Sequence, residues 1–112
     1  MTPEETEELQ LTCFEIISYV GTAKSAFVNA VKAAKAGDFE GAEKLIAEGD
    51  TAYNGGHDAH MKLLQADAAG EREPVAPLIL LHAEDQMAST ETVRIMAVEL
   101  IDVHRALAEL KA

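Results

Sequence analysis

The stretch Leu9-Gln10-Leu11-Thr12-Cys13-Phe14-Glu15-Ile16-Ile17-Ser18-Tyr19-Val20 decides the fold. Leu9, Cys13, Ile16 and Val20 recur in steps of three and four, and the same line runs on through Ala23, Phe27, Ala30 and Ala34. That spacing keeps one face of an α-helix apolar or small for about seven turns. Upstream, Thr2 is suited to an N-cap, Pro3 to the first helical position, and Glu5 to the far side of a capping box. Glu4, Glu5, Glu7 and Glu8 favour the positive end of the helix dipole. Lys32 and Lys35 suit the last turn, and Gly37 suits the left-handed residue that follows it. A helix is predicted near 3–36.

Moving outward, Asp38 is an N-cap candidate for a second helix near 38–69. Its stripe is Phe39, Ala42, Ile46, Gly49, Tyr53, Gly56, His60 and Leu63. Gly55 and Gly56 each cost a helix about 1 kcal/mol relative to Ala, so this helix is predicted to be continuous but soft there. Gly49 and Gly56 leave room for a neighbouring backbone. After the loop-like run Ala69-Gly70-Glu71-Arg72-Glu73-Pro74 comes a third segment, near 75–111. One of its lines passes Ile79, His82, Gln86, Ser89, Val93, Met96, Leu100, Val103, Leu107 and Leu110; a second passes Leu78, Leu81, Ala88 and Ile95. A lone three-helix bundle buries one stripe per helix, so this surplus predicts a homo-oligomer. No alternation signals a strand. Short connections make neighbours antiparallel. The expected architecture for 1–112 is therefore all-α, an up-down-up three-helix bundle with helices about 45 Å long.

Composition narrows the function. Twenty acids against nine Lys and Arg leave a formal charge of −11 over 112 residues. With no Lys/Arg cluster, the chain repels nucleic acid and anionic lipid, and a charge-steered partner should present a basic face. Aromatics are 4% and Trp is absent, which argues against a broad ring-lined pocket. No apolar run nears the ~20 residues a membrane helix needs, so direct membrane insertion is not expected. The acidic segment Met1–Gln10 does not read as a secretory leader. One cysteine forms no internal disulfide, and a cytoplasmic location is expected.

The chemistry concentrates in Leu80-Leu81-His82-Ala83-Glu84-Asp85-Gln86-Met87. His82 and Asp85 are three apart on a helix and project from nearby parts of one face. An imidazole has an ordinary pKa near 6.5, so at neutral pH it offers an unprotonated nitrogen as nucleophile. A nearby carboxylate orients the ring or stabilises the imidazolium. Elsewhere the residues read as structural. His57 caps a groove or meets solvent, and His60 packs beside Tyr53, although the pair at three-residue spacing could bind a metal with a third ligand. His104 is solvated in a charged stretch. Cys13 is a buried small residue without a basic neighbour in sequence. Gly55-Gly56 lacks the spacing of a phosphate loop.

The same block resembles the lactose/cellobiose-type enzyme IIA of the bacterial sugar phosphotransferase system. That family carries a Leu/Val-rich run followed by His-Ala-Gln/Glu-Asp-His/Gln. The preceding stretch from Lys62 to Glu71 resembles the family's acidic-Ala-Gly-Glu ending. Two positions depart from the pattern: Met87-Ala88 stands in place of Leu-Met, and His60 replaces a glutamine. The resemblance implies that His82 is transiently phosphorylated, taking the phosphoryl group from phospho-HPr and passing it to a cysteine of a cognate enzyme IIB. It further implies a homotrimer with Asp85 on its axis, where three carboxylates would hold a divalent cation such as Mg2+. No cofactor is required for transfer itself. His57, Leu78, Leu81, Gln86 and Met87 would line or support the partner groove. The competing reading is a non-catalytic helical oligomer, an adaptor or a metal-binding bundle.

Overall fold

The structure, a computed structural model, describes residues 1–112. It contains three helices, α1 (Pro3–Lys35), α2 (Phe39–Ala68) and α3 (Leu78–Lys111), with no strand. The capping signals operate as the chain suggests. The Thr2 hydroxyl accepts from the Glu5 amide while the Glu5 carboxylate accepts from the Thr2 amide. Asp38 accepts from the Gly41 amide, and Gly37 takes φ 87° to turn the chain. The one boundary that moves by more than a single residue is the start of α3. Pro74 and Pro77 lack the amide hydrogens that helix bonds use, so α3 begins only after Pro77, at Leu78 rather than near 75.

The helices form a rod of 63 × 19 × 19 Å with α1 at its centre. All eight residues of the predicted α1 stripe are buried. They meet α2 on one side and α3 on the other, while α2 and α3 touch little. The α1–α2 register is antiparallel. Phe27 lies against Gly49, and Tyr19 and Val20 lie against Gly55 and Gly56. Those glycines let the two helices approach closely, and α2 runs unbroken through them. The α2–α3 seam is polar instead. His60 Nε2 meets Glu84 Oε1 at 2.5 Å, Arg94 grips Asp50 through two bonds of 2.6 and 3.0 Å, and Arg105 Nη2 donates to Glu43 Oε1 at 2.5 Å. These ties sit about ten residues apart and hold α3 against α2 in antiparallel register.

On α3 the buried line is Ala83, Met87, Thr90, Ala97 and Ile101, which is neither of the two lines the periodicity singles out. Small residues at 83 and 97 bring α3 close to α1, and the Thr90 hydroxyl donates to the Val20 carbonyl at 3.4 Å. The larger apolar residues consequently point outward. Leu78, Leu81, Ile95, Met96, Leu100, Val103, Leu107 and Leu110 are all exposed. The accessible surface is 7,140 Å2 for a 12.0 kDa chain, against about 6,000 Å2 expected of a compact monomer.

Cys13 is fully buried, as expected, and burial pushes its thiol above the ordinary range. The glycine contacts yield a contrast. A methyl at Gly49 meets the ring of Phe27, which is fully buried and has nowhere to go; a methyl at Gly55 meets the ring of Tyr19, which is 41% exposed and free to swing out. Overpacking costs about 1–3 kcal/mol and replacing a helical Gly by Ala returns about 1 kcal/mol. Gly49→Ala is therefore expected to destabilise by up to about 2 kcal/mol and Gly55→Ala to be neutral or stabilising, as measured by urea unfolding.

Candidate functional site

The α2–α3 connection is tied down before α3 begins. Arg72 Nη1 donates to Asp67 Oδ1 at 2.6 Å and Arg72 Nη2 to the Val75 carbonyl at 3.0 Å. The Met1 amine pairs with Glu73, which raises the amine's pKa chiefly through a hydrogen bond. The Pro77 carbonyl then accepts from the amides of Leu80 and Leu81, starting the first turn of α3.

His82 is the fifth residue of that helix and is exposed, as is Asp85 one turn later. Leu78 and Leu81, 82% and 54% exposed, flank them on the same outward side. At 100° per residue the inward line of Ala83 and Met87 lies about a third of a turn away. The expectation that Met87 lines this surface is therefore corrected. It turns inward and packs with Leu9, Cys13 and Ala83 in the core. Gln86 and Ser89 continue the strip that starts at His82, at the i+4 and i+7 positions, and both are half-buried beside α1. Lys24 of α1 reaches across to them, its Nζ donating to Ser89 Oγ at 2.8 Å and to Gln86 Oε1 at 3.2 Å. Sequence reasoning did not single out Lys24. The available signal was a lone cation on an α1 face otherwise made of Phe14, Ile17, Gly21 and Val28.

The α2 histidines sit elsewhere. Glu84 is about 200° around α3 from His82, and it is Glu84 that meets His60. His57 is exposed and stacks with Tyr53, ring centroids 6.5 Å apart. His57 thus meets solvent, as expected, and is also the histidine stacked on Tyr53; His60, expected beside Tyr53, bridges to Glu84 of α3. No hydrogen bond or ring stacking joins His57 to His82. His104 is half-buried rather than fully solvated.

No three potential metal ligands come together within the subunit. Asp85 is a single carboxylate on an apolar face, so ligand number at that position rises only when copies of the chain meet there. The four main clefts are lined by other residues; His82 stands on the open face. A nucleophile so placed is accessible to another macromolecule.

The family model described as the lactose/cellobiose-specific IIA subunit of the phosphotransferase system matches residues 11–105. The lichenan-specific phosphotransferase enzyme IIA component of Bacillus subtilis is 32% identical over 103 residues, covering 92% of this chain and 93% of that protein. The N,N'-diacetylchitobiose-specific EIIA component of Escherichia coli is 35% identical over 106 residues, covering 95% and 90% respectively. The crystal structure of the cellobiose-specific enzyme IIA from Bacillus anthracis superposes with a TM-score of 0.85 at 29% identity, covering 97% of this chain and 94% of that one.

Exposure sets different expectations for the two histidines. His82→Ala removes an exposed side chain and is expected to shift unfolding by no more than about 0.5 kcal/mol. His60→Ala removes one of three ties on the α2–α3 seam and is expected to cost about 0.5–1 kcal/mol. Urea unfolding of both variants beside the parent chain checks the order.

Proposed function

Because the chain belongs to the lactose/cellobiose-specific IIA family of the sugar phosphotransferase system, we propose that it is a cytoplasmic phosphocarrier whose transferring group is His82. Phospho-HPr donates the phosphoryl group, and a cysteine of a cognate enzyme IIB accepts it during sugar uptake. The observation that carries this reading is the exposed imidazole of His82 on the outward face of α3, beside Asp85.

The chemistry needs little more than access and orientation. The lone pair of an unprotonated His82 nitrogen forms the new bond to phosphorus as the bond to the donor's carrier atom breaks. That electron pair returns to the donor, and His82 keeps the hydrogen on its other nitrogen. In the second step a cysteine thiolate attacks phosphorus and the N–P bond breaks, which regenerates the neutral imidazole. Leu78 and Leu81 give each partner an apolar rim to dock on, suited to a transient complex of modest area. Sugar recognition falls to the permease; the relatives named above serve lichenan, diacetylchitobiose and cellobiose with the same kind of subunit.

The working form is a homotrimer. Support comes from the outward apolar face of α3, from Phe14 and Val28 exposed on the adjoining face of α1, and from the excess accessible surface. Three α3 helices meeting there would bring three Asp85 carboxylates together. Such a cluster requires protons or a cation. Its oxygen-only donor set suits Mg2+, which would neutralise the cluster and take no part in transfer.

Incubation with PEP, enzyme I and HPr is expected to add one acid-labile phosphoryl group to the parent chain and none to His82→Ala, read by intact-protein mass. An adaptor would show no gain in either and keep its assembly. Separately, Met96→Glu with Val103→Glu places charge on the outward face. It is expected to yield a helical monomer by light scattering where the parent chain is trimeric.

A further inference from the structure

We propose that Lys24 is a positioning residue for phosphoryl transfer at His82, acting through Gln86; the inference rests on the phosphocarrier reading. Lys24 is half-buried between α1 and α3. Its two side-chain partners are neutral oxygens, Gln86 Oε1 at 3.2 Å and Ser89 Oγ at 2.8 Å. Arg72, Arg94 and Arg105 each pair with a carboxylate, but Lys24 joins no ion pair. In a chain of charge −11, a partly buried ammonium bonded only to neutral groups keeps its charge available to an incoming anion.

An ammonium only donates, so the Gln86 atom it touches is the carbonyl oxygen, and the orientation of the Gln86 amide is fixed. The two N–H donors of that amide are then left for another acceptor. The Ser89 hydroxyl donates to the Gln86 backbone carbonyl at 3.4 Å and so presents a lone pair to Lys24. Two of the three ammonium hydrogens are used, and one remains. Gln86 stands one turn from His82 on the same strip, close enough for neighbouring side chains to meet. When phosphorus moves from the donor's carrier atom to the His82 nitrogen, with the donor recovering its electron pair, the group arrives one turn from the free Gln86 amide hydrogens and the remaining Lys24 hydrogen. Glu84 lies on the far side of α3, engaged with His60, which leaves exposed Asp85 as the carboxylate on the His82 side of these turns. Lys24 and the Gln86 amide offset that carboxylate on the α1 side. Charge-assisted hydrogen bonds of this kind are roughly twice as strong as neutral ones.

The test is the rate of phosphoryl uptake from phospho-HPr by the full chain, with Lys24→Met, Lys24→Arg, Gln86→Leu and the Lys24→Met/Gln86→Leu double variant. Lys24→Met is expected to lower the rate at saturating phospho-HPr about tenfold. The apparent KM for phospho-HPr should move less than twofold, and Lys24→Arg should restore most of the rate. In the Gln86→Leu background, Lys24→Met should add little, the signature of residues acting as one unit. A Lys24→Met rate equal to the parent's overturns the inference and leaves the phosphocarrier reading standing. So does an equal further loss in the Gln86→Leu background, or a loss that Lys24→Arg fails to restore and that tracks lost helicity or assembly. A parent chain that takes up no phosphoryl group from active phospho-HPr overturns both.

Discussion

The contact of Phe27 and Val20 with Gly49 and Gly56 sets the distance between α1 and α2, and the rest of the rod follows from it. With no side chain on those positions of α2, the rings and methyls of α1 fill the space that Cβ atoms would occupy. The close approach uses up one side of the α1 stripe. The same stripe also meets α3, whose buried line alternates small residues (Ala83, Thr90, Ala97) with the larger Met87 and Ile101. On α3, Ala83 joins the Cys13 and Ile16 cluster, Thr90 meets the Val20 carbonyl, Ala97 joins Ala23 and Phe27, and Ile101 joins Ala30 and Ala34, where the alanines leave room for its larger side chain. A line of leucines could not enter the same groove without pushing α3 away.

This has a direct consequence for where chemistry can occur. The in-facing line of α3 is spoken for by α1, and the α2-facing line carries Glu84, Arg94 and Arg105 in polar ties. What remains is the outward face. Apolar bulk that the core does not use is found there, and so are His82 and Asp85. The polar ties each contribute little to stability, as partly exposed pairs do. Their spacing nonetheless fixes the rotation of α3 about its axis, because a quarter turn would break all three. That rotation keeps His82 on the rim between α1 and the open face rather than in the core.

Much of this was legible in the sequence, for identifiable reasons. The eight-residue stripe of α1 is buried to the last member because α1 has neighbours on both sides and its periodicity reports one real groove. Caps at Thr2 and Asp38 were readable because local hydrogen bonds determine them. The failures concern neighbours distant in sequence. Periodicity finds apolar faces on α3 but says nothing of which face meets α1 and which meets other molecules. The face with larger side chains was the natural choice for a core, yet the smaller one packs because the opposing groove is already narrow. Likewise, His57 and His60 differ by three positions, and only the rotation of α2 decides which of them meets Tyr53 and which reaches Glu84. Met87 was placed by its adjacency to the His82 block. Five residues is more than a full turn, and the extra rotation carries it inside.

The net charge of −11 bears on function less than its size suggests. At physiological ionic strength the screening length is about 8 Å, so most of the twenty acids along a 63 Å rod are largely screened from the His82 side chain. Only the charges in the first turns of α3 and on the adjoining face of α1 act on it. There the balance is nearly even: Asp85 exposed on one side, Lys24 half-buried on the other, and Glu84 turned toward His60. A carrier must neither hold its phosphoryl group so firmly that it cannot leave nor so weakly that water takes it. A strongly basic pocket would do the first, and an uncompensated acidic face the second. A nearly neutral patch on an acidic rod separates the two demands. The distant acids steer basic partners toward the rod from beyond contact range. For the proposed phosphocarrier, such a local near-balance would leave the energy of the N–P bond to be set by the two nucleophiles that exchange it.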